Sequence, residues 1–164
     1  MSERNVRNSD GGREEFQEAR NKGLYYLQFS AKTECEMRKK LEDQGFSPAA
    51  VEDAVRFLKG YRYLNDEDYA RRYLERNGKK KSERQIRFEL KKKGVSETDI
   101  DLVFEENPMD ETAQILALLE KKKYGGEEAG REEKQKISAF LARKGFSYDA
   151  ISTALIHYAR KTGE

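Results

Sequence analysis

Three stretches of this 164-residue chain repeat one pattern and decide the fold: CEMRKKLEDQGFSPAAVEDAV at residues 35–55, RQIRFELKKKGVSETDIDLVF at residues 84–104, and QKISAFLARKGFSYDAISTAL at residues 135–155. Each holds a glycine at the same place, and successive glycines are 49 and 51 residues apart. Four apolar positions align around that glycine in all three copies. The first position holds Met37, Ile86 and Ile137, and the second holds Leu41, Leu90 and Leu141. The third holds Val51, Ile100 and Ile151, and the fourth holds Val55, Phe104 and Leu155. A repeat of this kind predicts an array of similar structural units.

Each copy has the pattern of a helix, a sharp turn and a second helix. The glycines Gly45, Gly94 and Gly145 fit the first position past a helix, where a left-handed backbone is easy only for glycine. An apolar residue follows each glycine, and then a serine that fits the cap of the next helix: Ser47, Ser96 and Ser147. Thr33 with Glu36 and Ser82 with Gln85 have the spacing of a capping box. The third copy has no such box, and its helix is expected to start near Gly130.

A further helix is predicted before each pair, over residues 14–30, 66–77 and 110–123. The sequence therefore predicts an all-α fold of nine helices in three tandem three-helix repeats, at 14–64, 65–108 and 109–164. Residues 1–13 are predicted to be a disordered tail. We expect the array to be elongated, because each unit of a repeat protein contacts only its neighbours. The alternative is an irregular single helical bundle.

The composition excludes several classes of protein. Charged residues number 64 of 164, with a net charge of only +2, which favours thin amphipathic helices over a thick sheet core. There is no apolar run of membrane-spanning length, and Cys35 is the single cysteine, so we expect a cytoplasmic protein. With one histidine, His157, and no phosphate-binding loop, we predict no catalytic residue, metal site, cofactor or small-molecule substrate.

The charges are strongly segregated along the chain. Eleven basic and three acidic residues lie between Arg71 and Lys93, whereas residues 97–111 hold seven acidic residues and no basic one. The candidate partner-binding or DNA-binding residues come from the basic segment. They are Arg71, Arg72, Arg76, Lys79, Lys80, Arg84, Arg87, Phe88, Lys91 and Lys92.

Helix geometry predicts an unusual face on the helix at residues 82–93. Ile86 and Leu90 mark its buried side, which places Arg84, Arg87 and Lys91 with Phe88 on the opposite side and Lys92 at the margin. The positions aligned with Phe88 hold Lys39 and Ala139, so the site is not a core position. An exposed Phe among cations is typical of a surface that binds an anionic partner or a nucleic acid. The alternative is a solvated lysine-rich helix with Phe88 packed against a neighbouring unit.

The residues resemble those of one protein family. The stretch YRYLNDEDYARRYLERNGKKKSERQIRFELKKKGVSETDI at residues 61–100 resembles the middle repeat of the bacterial RecX proteins, and FLARKGFSYDAISTAL at residues 140–155 is similar to their last repeat. The resemblance implies a regulator, most often an inhibitor, of the RecA recombinase. We expect this regulator to be a monomer. Such proteins bind along the groove of the RecA–DNA filament and modulate ATP hydrolysis and strand exchange, in DNA repair, homologous recombination and the SOS response.

Two other functions stay open from the sequence. One is a helical protein that binds DNA directly and without sequence preference, through contacts of the basic segment with the phosphate backbone. Against a groove-reading role, the predicted second helices at 47–58 and 96–105 are acidic where they should be basic. Their acidic residues are Glu52, Asp53, Asp99 and Asp101. The other is a scaffold for an unrelated protein.

Overall fold

The structure, a computed structural model, describes the backbone of residues 3–163 and the side chains of residues 11–163. Within that range the chain forms nine α-helices and one short 3-10 helix at Gly126–Glu128 and contains no strand, so the all-α prediction is confirmed. The α-helices are α1 at Glu3–Leu27, α2 at Glu34–Asp43, α3 at Pro48–Gly60, α4 at Asp66–Asn77, α5 at Glu83–Lys92, α6 at Glu97–Glu106, α7 at Glu111–Lys121, α8 at Arg131–Arg143 and α9 at Tyr148–Thr162.

The amino-terminal helix is longer than the sequence predicts. It begins at Glu3, so it covers most of the predicted disordered tail, while Met1 and Ser2 lie outside the described residues. The physical reason is that a helix, once nucleated, extends by one hydrogen bond per added residue, and the segment before residue 14 contains no proline to stop it.

The helices pack into two compact units. The first comprises Met1–Arg71 and Leu90–Leu102, and the second comprises Arg72–Glu89 and Val103–Glu164. In the first unit α1, α2 and α3 pack around a core that includes Met37, Leu41 and Leu58. In the second unit α7, α8 and α9 pack around a core that includes Ile115, Leu119 and Leu141. The repeat boundaries and the elongated shape stay predictions.

The turn after the first helix of each predicted pair closes in the same way. Gly45, Gly94 and Gly145 all have a positive φ, between 87° and 94°. Each glycine N–H donates to the carbonyl three residues back, and the next N–H reaches five residues back, as from Val95 to the Leu90 oxygen at 3.1 Å. This double hydrogen bond satisfies the free carbonyls at a helix end and requires the left-handed backbone. The predicted role of these glycines is confirmed.

The predicted helix caps also form. Ser47, Ser96 and Ser147 each accept a backbone N–H three residues on, at 3.2 to 3.3 Å. Thr33 and Glu36 form the complete capping box at the start of α2. The helix α8 follows Gly130, which makes no side-chain capping bond.

Two of these caps have a second role, which the sequence does not show. The buried hydroxyl of Thr33 donates to the carbonyl of Lys93 at 2.7 Å, and that of Ser82 donates to the carbonyl of Lys144, also at 2.7 Å. Both acceptors directly precede a turn glycine. One hydroxyl therefore caps its own helix and also holds the turn of the following repeat, once in each unit.

This contact requires that the turn residue carry no Cβ. A Cβ on Gly94 would overlap the Cβ of Cys35, and one on Gly145 would lie 2.7 Å from the Ser82 Oγ. A Cβ on Gly45 would meet nothing within 4 Å. The first turn therefore needs glycine only for its backbone angle, whereas the other two also need it for close approach.

A polar network joins α4 to α5 in the second unit. The Lys81 amine donates to the Glu89 carboxylate at 2.8 and 3.0 Å, and the Tyr73 hydroxyl donates to the same group. Burial raises the pKa of Glu89, but the hydrogen bonds from Lys81 and Tyr73 outweigh burial and hold the pKa below its ordinary value. The ionised carboxylate therefore stabilises the folded state.

We expect alanine at the turn glycines to have unequal effects. Gly45→Ala should lower the free energy of unfolding by about 1 kcal/mol, the cost of a left-handed non-glycine residue. Gly94→Ala should cost more, because the new methyl also overlaps Cys35. Urea unfolding followed by circular dichroism measures both. Equal midpoints for the two variants would show that the close contact at Gly94 is unimportant.

We expect Glu89→Gln to lower the free energy of unfolding by about 1–2 kcal/mol at neutral pH. Because the pKa of Glu89 is lower in the folded state, its contribution is present above the unfolded pKa and is lost as the pH falls through the folded one. The difference between parent and variant should therefore shrink below about pH 4. Urea titrations across this range test it, with Glu75→Gln as the exposed control. A constant difference at all pH values would contradict the role of the ionised carboxylate.

Candidate interaction surface

The ten predicted site residues lie on α4, the following turn and α5. The site residues that fall within Arg72–Glu89 belong to the second unit, while Arg71, Lys91 and Lys92 belong to the first. Arg71 and Arg87 are half-buried, and the other eight are exposed. Five of the ten lie on α5, and four of those five are exposed.

The two sides of α5 differ as predicted. Ile86 and Leu90 are fully buried, whereas the side chain of Phe88 is 65% exposed. The alternative in which Phe88 packs against a neighbouring unit is therefore wrong. The use of this side of α5 as a contact surface stays a prediction.

Three of the cations are held by carboxylates of the same chain. Arg71 pairs with Asp68 at 2.7 Å and with Glu67 at 3.5 Å. Lys91 pairs with Glu97 at 2.5 Å, through side chains that are both mostly exposed. Exposed ion pairs contribute little free energy, so Lys91 can exchange the carboxylate of Glu97 for one of a partner.

Arg87 is more firmly placed than its neighbours. Its guanidinium bonds to Glu83 at 3.1 Å and lies 4.6 Å from the centre of the buried Phe104 ring. A guanidinium over a ring face is attracted by the ring quadrupole and covers it from water. Arg87 therefore supports the fold, and its replacement would disturb the packing of Phe104.

The remaining six cations are exposed and make no ion pair with any side chain among residues 11–163. They are Arg72, Arg76, Lys79, Lys80, Arg84 and Lys92. On α5 itself, Arg84 and Lys92 are one turn before and one turn after Phe88. We call Arg84, Phe88 and Lys92 the α5 face. It has the chemistry to contact an anionic surface that also offers apolar groups.

A second group of exposed aromatic rings was not predicted. Tyr61 and Tyr63 are 65% and 55% exposed, with stacked rings whose centroids are 6.0 Å apart. They lie in the first unit, after α3, and Phe57 packs edge-on against Tyr61 at 5.1 Å. The run RFLKGYRY at residues 56–63, in which cations alternate with aromatic residues, is the sequence signal that marks them.

The described part of the chain also bears on other kinds of site. Among residues 11–163 no three His, Cys, Asp or Glu side chains are grouped in a way that would hold a metal ion. None of the helices of residues 3–163 is both long and apolar enough to cross a membrane. Cys35 is a free, exposed thiol.

Family models match all three repeats. The first, second and third three-helix domains of RecX match residues 19–58, 65–103 and 110–155. Two similar curated relatives both carry the name Regulatory protein RecX. The one from Clostridium perfringens is 34% identical over 145 residues, covering 85% of this chain and 68% of the relative. The one from Vibrio campbellii is 38% identical over 123 residues, covering 73% of this chain and 78% of the relative.

Solved structures agree with these matches. A crystal structure of RecX from Lactobacillus salivarius has a TM-score of 0.79 at 25% identity, covering 90% of this chain and 98% of its own. A crystal structure of regulatory protein RecX has a TM-score of 0.81 at 25% identity, covering 94% of this chain and 79% of its own. With three matched domains, relatives named as regulatory proteins and a shared fold of three-helix repeats, the chain belongs to the RecX family of regulatory proteins.

Proposed function

We propose that this protein regulates the RecA recombinase by binding along the groove of the RecA–DNA filament and that it inhibits ATP hydrolysis and strand exchange in DNA repair and recombination. Family membership supports RecA as the partner. The observation that carries the binding surface is the exposed Phe88 between two unpaired cations on α5. We propose that the protein acts as a monomer in the cytoplasm and needs no cofactor.

The repeat architecture suits a partner that is itself repetitive. Each of the three similar repeats can contact one protomer of a helical filament. The individually weak contacts add, because once the first contact has formed, the second and third contacts are intramolecular. The contribution of the α5 face is then an anchor of one ring and two cations in the middle repeat. Acidic filament surface or DNA phosphate supplies the complementary charge.

The acidic segment at residues 97–111 has a separate role in this proposal. It follows the basic segment directly, and Glu97 and Asp101 on α6 reach the protein surface. Like charges that face each other across an interface cost free energy, so an acidic strip beside a basic face rejects shifted alignments. The segment therefore contributes to the choice of register on the filament.

Direct binding to duplex DNA is the competing function. A helix that reads a groove needs cations where α3 and α6 carry acids. Arg20 forms a bidentate pair with Asp53 at 2.8 and 2.9 Å, and this bond lowers the pKa of Asp53, which stays ionised. An ionised carboxylate in the middle of α3 opposes approach of that helix to phosphates.

We expect Arg84→Ala with Lys92→Ala to weaken inhibition of RecA and leave the fold intact. Both side chains are exposed and unpaired, and alanine favours helix, so circular dichroism should be unchanged. Loss of two charge contacts should raise the concentration that half-inhibits DNA-stimulated RecA ATPase about tenfold at low salt, and less at high salt. Phe88→Ala should also weaken inhibition, with a smaller dependence on salt.

Arg131→Ala with Lys134→Ala is the matched control, because it removes the same charge from exposed positions of α8. This control should inhibit like the parent. If the α5 variant inhibits as well as the control, the α5 face is merely solvated. If it loses binding to naked duplex DNA while still inhibiting RecA, the direct DNA-binding function is favoured instead.

A further inference from the structure

The stacked tyrosines after α3 form an aromatic platform at the surface. The planes of Tyr61 and Tyr63 differ by only 19°, and both rings are more than half exposed. Phe57, edge-on to Tyr61, supports the first ring, and Arg20 lies 4.6 Å from the centre of the Phe57 ring. Two nearly parallel rings held in this way offer a face on which another planar group can stack.

The backbone that holds this platform is strained. The turn after α3 closes like the three glycine turns, with Arg62 N–H to the Lys59 oxygen at 2.9 Å and Tyr63 N–H to the Leu58 oxygen at 2.8 Å. Its left-handed position is occupied by Arg62, at a φ of 59°. A non-glycine residue is disfavoured there. Arginine at this position, where glycine would be less strained, places a cation between the two exposed tyrosines in sequence.

Three cations lie beside the platform, and one of them, Arg56, also interacts electrostatically with the carboxylates of Glu52 and Asp53. Residues 54–64 contain Arg56, Lys59 and Arg62 and no acidic residue. Arg56 and Arg62 are exposed and make no ion pair with any side chain described in residues 11–163, while Lys59 pairs with Glu34 at 2.9 Å. A cavity of about 430 Å³ opens beside them, lined by Arg38, Glu52, Val55, Arg56, Lys59 and Gly60.

We propose that this end of α3 and the loop after it bind single-stranded nucleic acid, with bases stacked on Tyr61 and Tyr63 and phosphates held by Arg56 and Arg62. Aromatic rings alternating with exposed cations match a strand in which bases and phosphates alternate. In a duplex the base faces are stacked on each other, so the platform favours a single strand. The inference does not rest on the proposed regulation of RecA, since it concerns the first unit alone.

The first test measures binding of a fluorescent oligodeoxythymidylate of about 20 nucleotides, longer than the span of one such site. Tyr61→Ala with Tyr63→Ala should weaken binding about tenfold or more, since each stacked base contributes substantially to affinity. Tyr148→Ala is the matched control, because Tyr148 is 82% exposed on α9, and it should bind like the parent. An abasic strand of equal length should bind the parent more weakly than the thymidylate.

The second test separates charge from stacking. Arg56→Ala with Arg62→Ala should reduce the slope of log affinity against log salt by about 1.4, which is two phosphates at about 0.7 each. The tyrosine variant should keep the parent slope. Arg62→Gly should raise the urea midpoint, because glycine relieves the left-handed position, and yet weaken binding. A residue with a purely structural role cannot give these opposite changes.

Three results would overturn the proposal. The first is equal affinity of the parent for the abasic strand and the thymidylate. The second is an equal loss of affinity in the Tyr148→Ala control. The third is no oligonucleotide binding by the parent while the tyrosine variant fails to regulate RecA, and this result would assign the platform to a protein partner. The Arg84→Ala and Lys92→Ala variant should keep oligonucleotide binding. Failure of the α5 face and failure of this site are therefore distinguishable.

Discussion

The fold depends on a contact at the end of a helix. A glycine with a left-handed backbone ends the helix, and the carbonyl of the residue before it accepts a hydrogen bond from a hydroxyl of the preceding repeat. The Thr33 and Ser82 hydroxyls each satisfy a carbonyl next to Gly94 or Gly145, 60 and 62 residues away in sequence. Because these hydroxyls are buried, an unsatisfied one would cost free energy, and the bond is retained only if the glycine stays bare. Local helix termination and long-range packing are therefore parts of one contact.

Much of this architecture could be predicted from sequence, because capping and helix termination are local. The spacing of Ser and Thr from the apolar positions predicted the starts of five helices, and the turn glycines predicted the ends of three. Phe88 was predicted to be exposed because its aligned positions hold Lys and Ala. The Thr33–Lys93 bond could not be predicted, since no local pattern says which distant carbonyl a cap hydroxyl also reaches. The Tyr61–Tyr63 stack was missed for a related reason, because it requires the unexpected positive φ of Arg62.

The structure, unlike the sequence, shows which basic residues are bound within the chain and which are available to a partner. Lys81 is committed to Glu89 and Tyr73, and Arg87 covers Phe104, so neither contributes freely to a surface. Arg84 and Lys92, on the same helix, are unpaired among the described side chains. A count of basic residues therefore overstates the charge that a partner meets. The proposed α5 face and the proposed aromatic platform combine free cations with exposed rings in two different repeats.

The junction chemistry also bears on how such a chain can lengthen. The middle repeat uses both halves of the junction, since its Gly94 turn receives Thr33 and its Ser82 holds the turn at Gly145. A tandem copy of this repeat would bring its own hydroxyl and its own bare glycine, so it could be inserted without new interface residues. The residue at the cap of α8 is Gly130, which has no hydroxyl to offer a further turn. Consensus design of longer arrays should therefore duplicate the middle module.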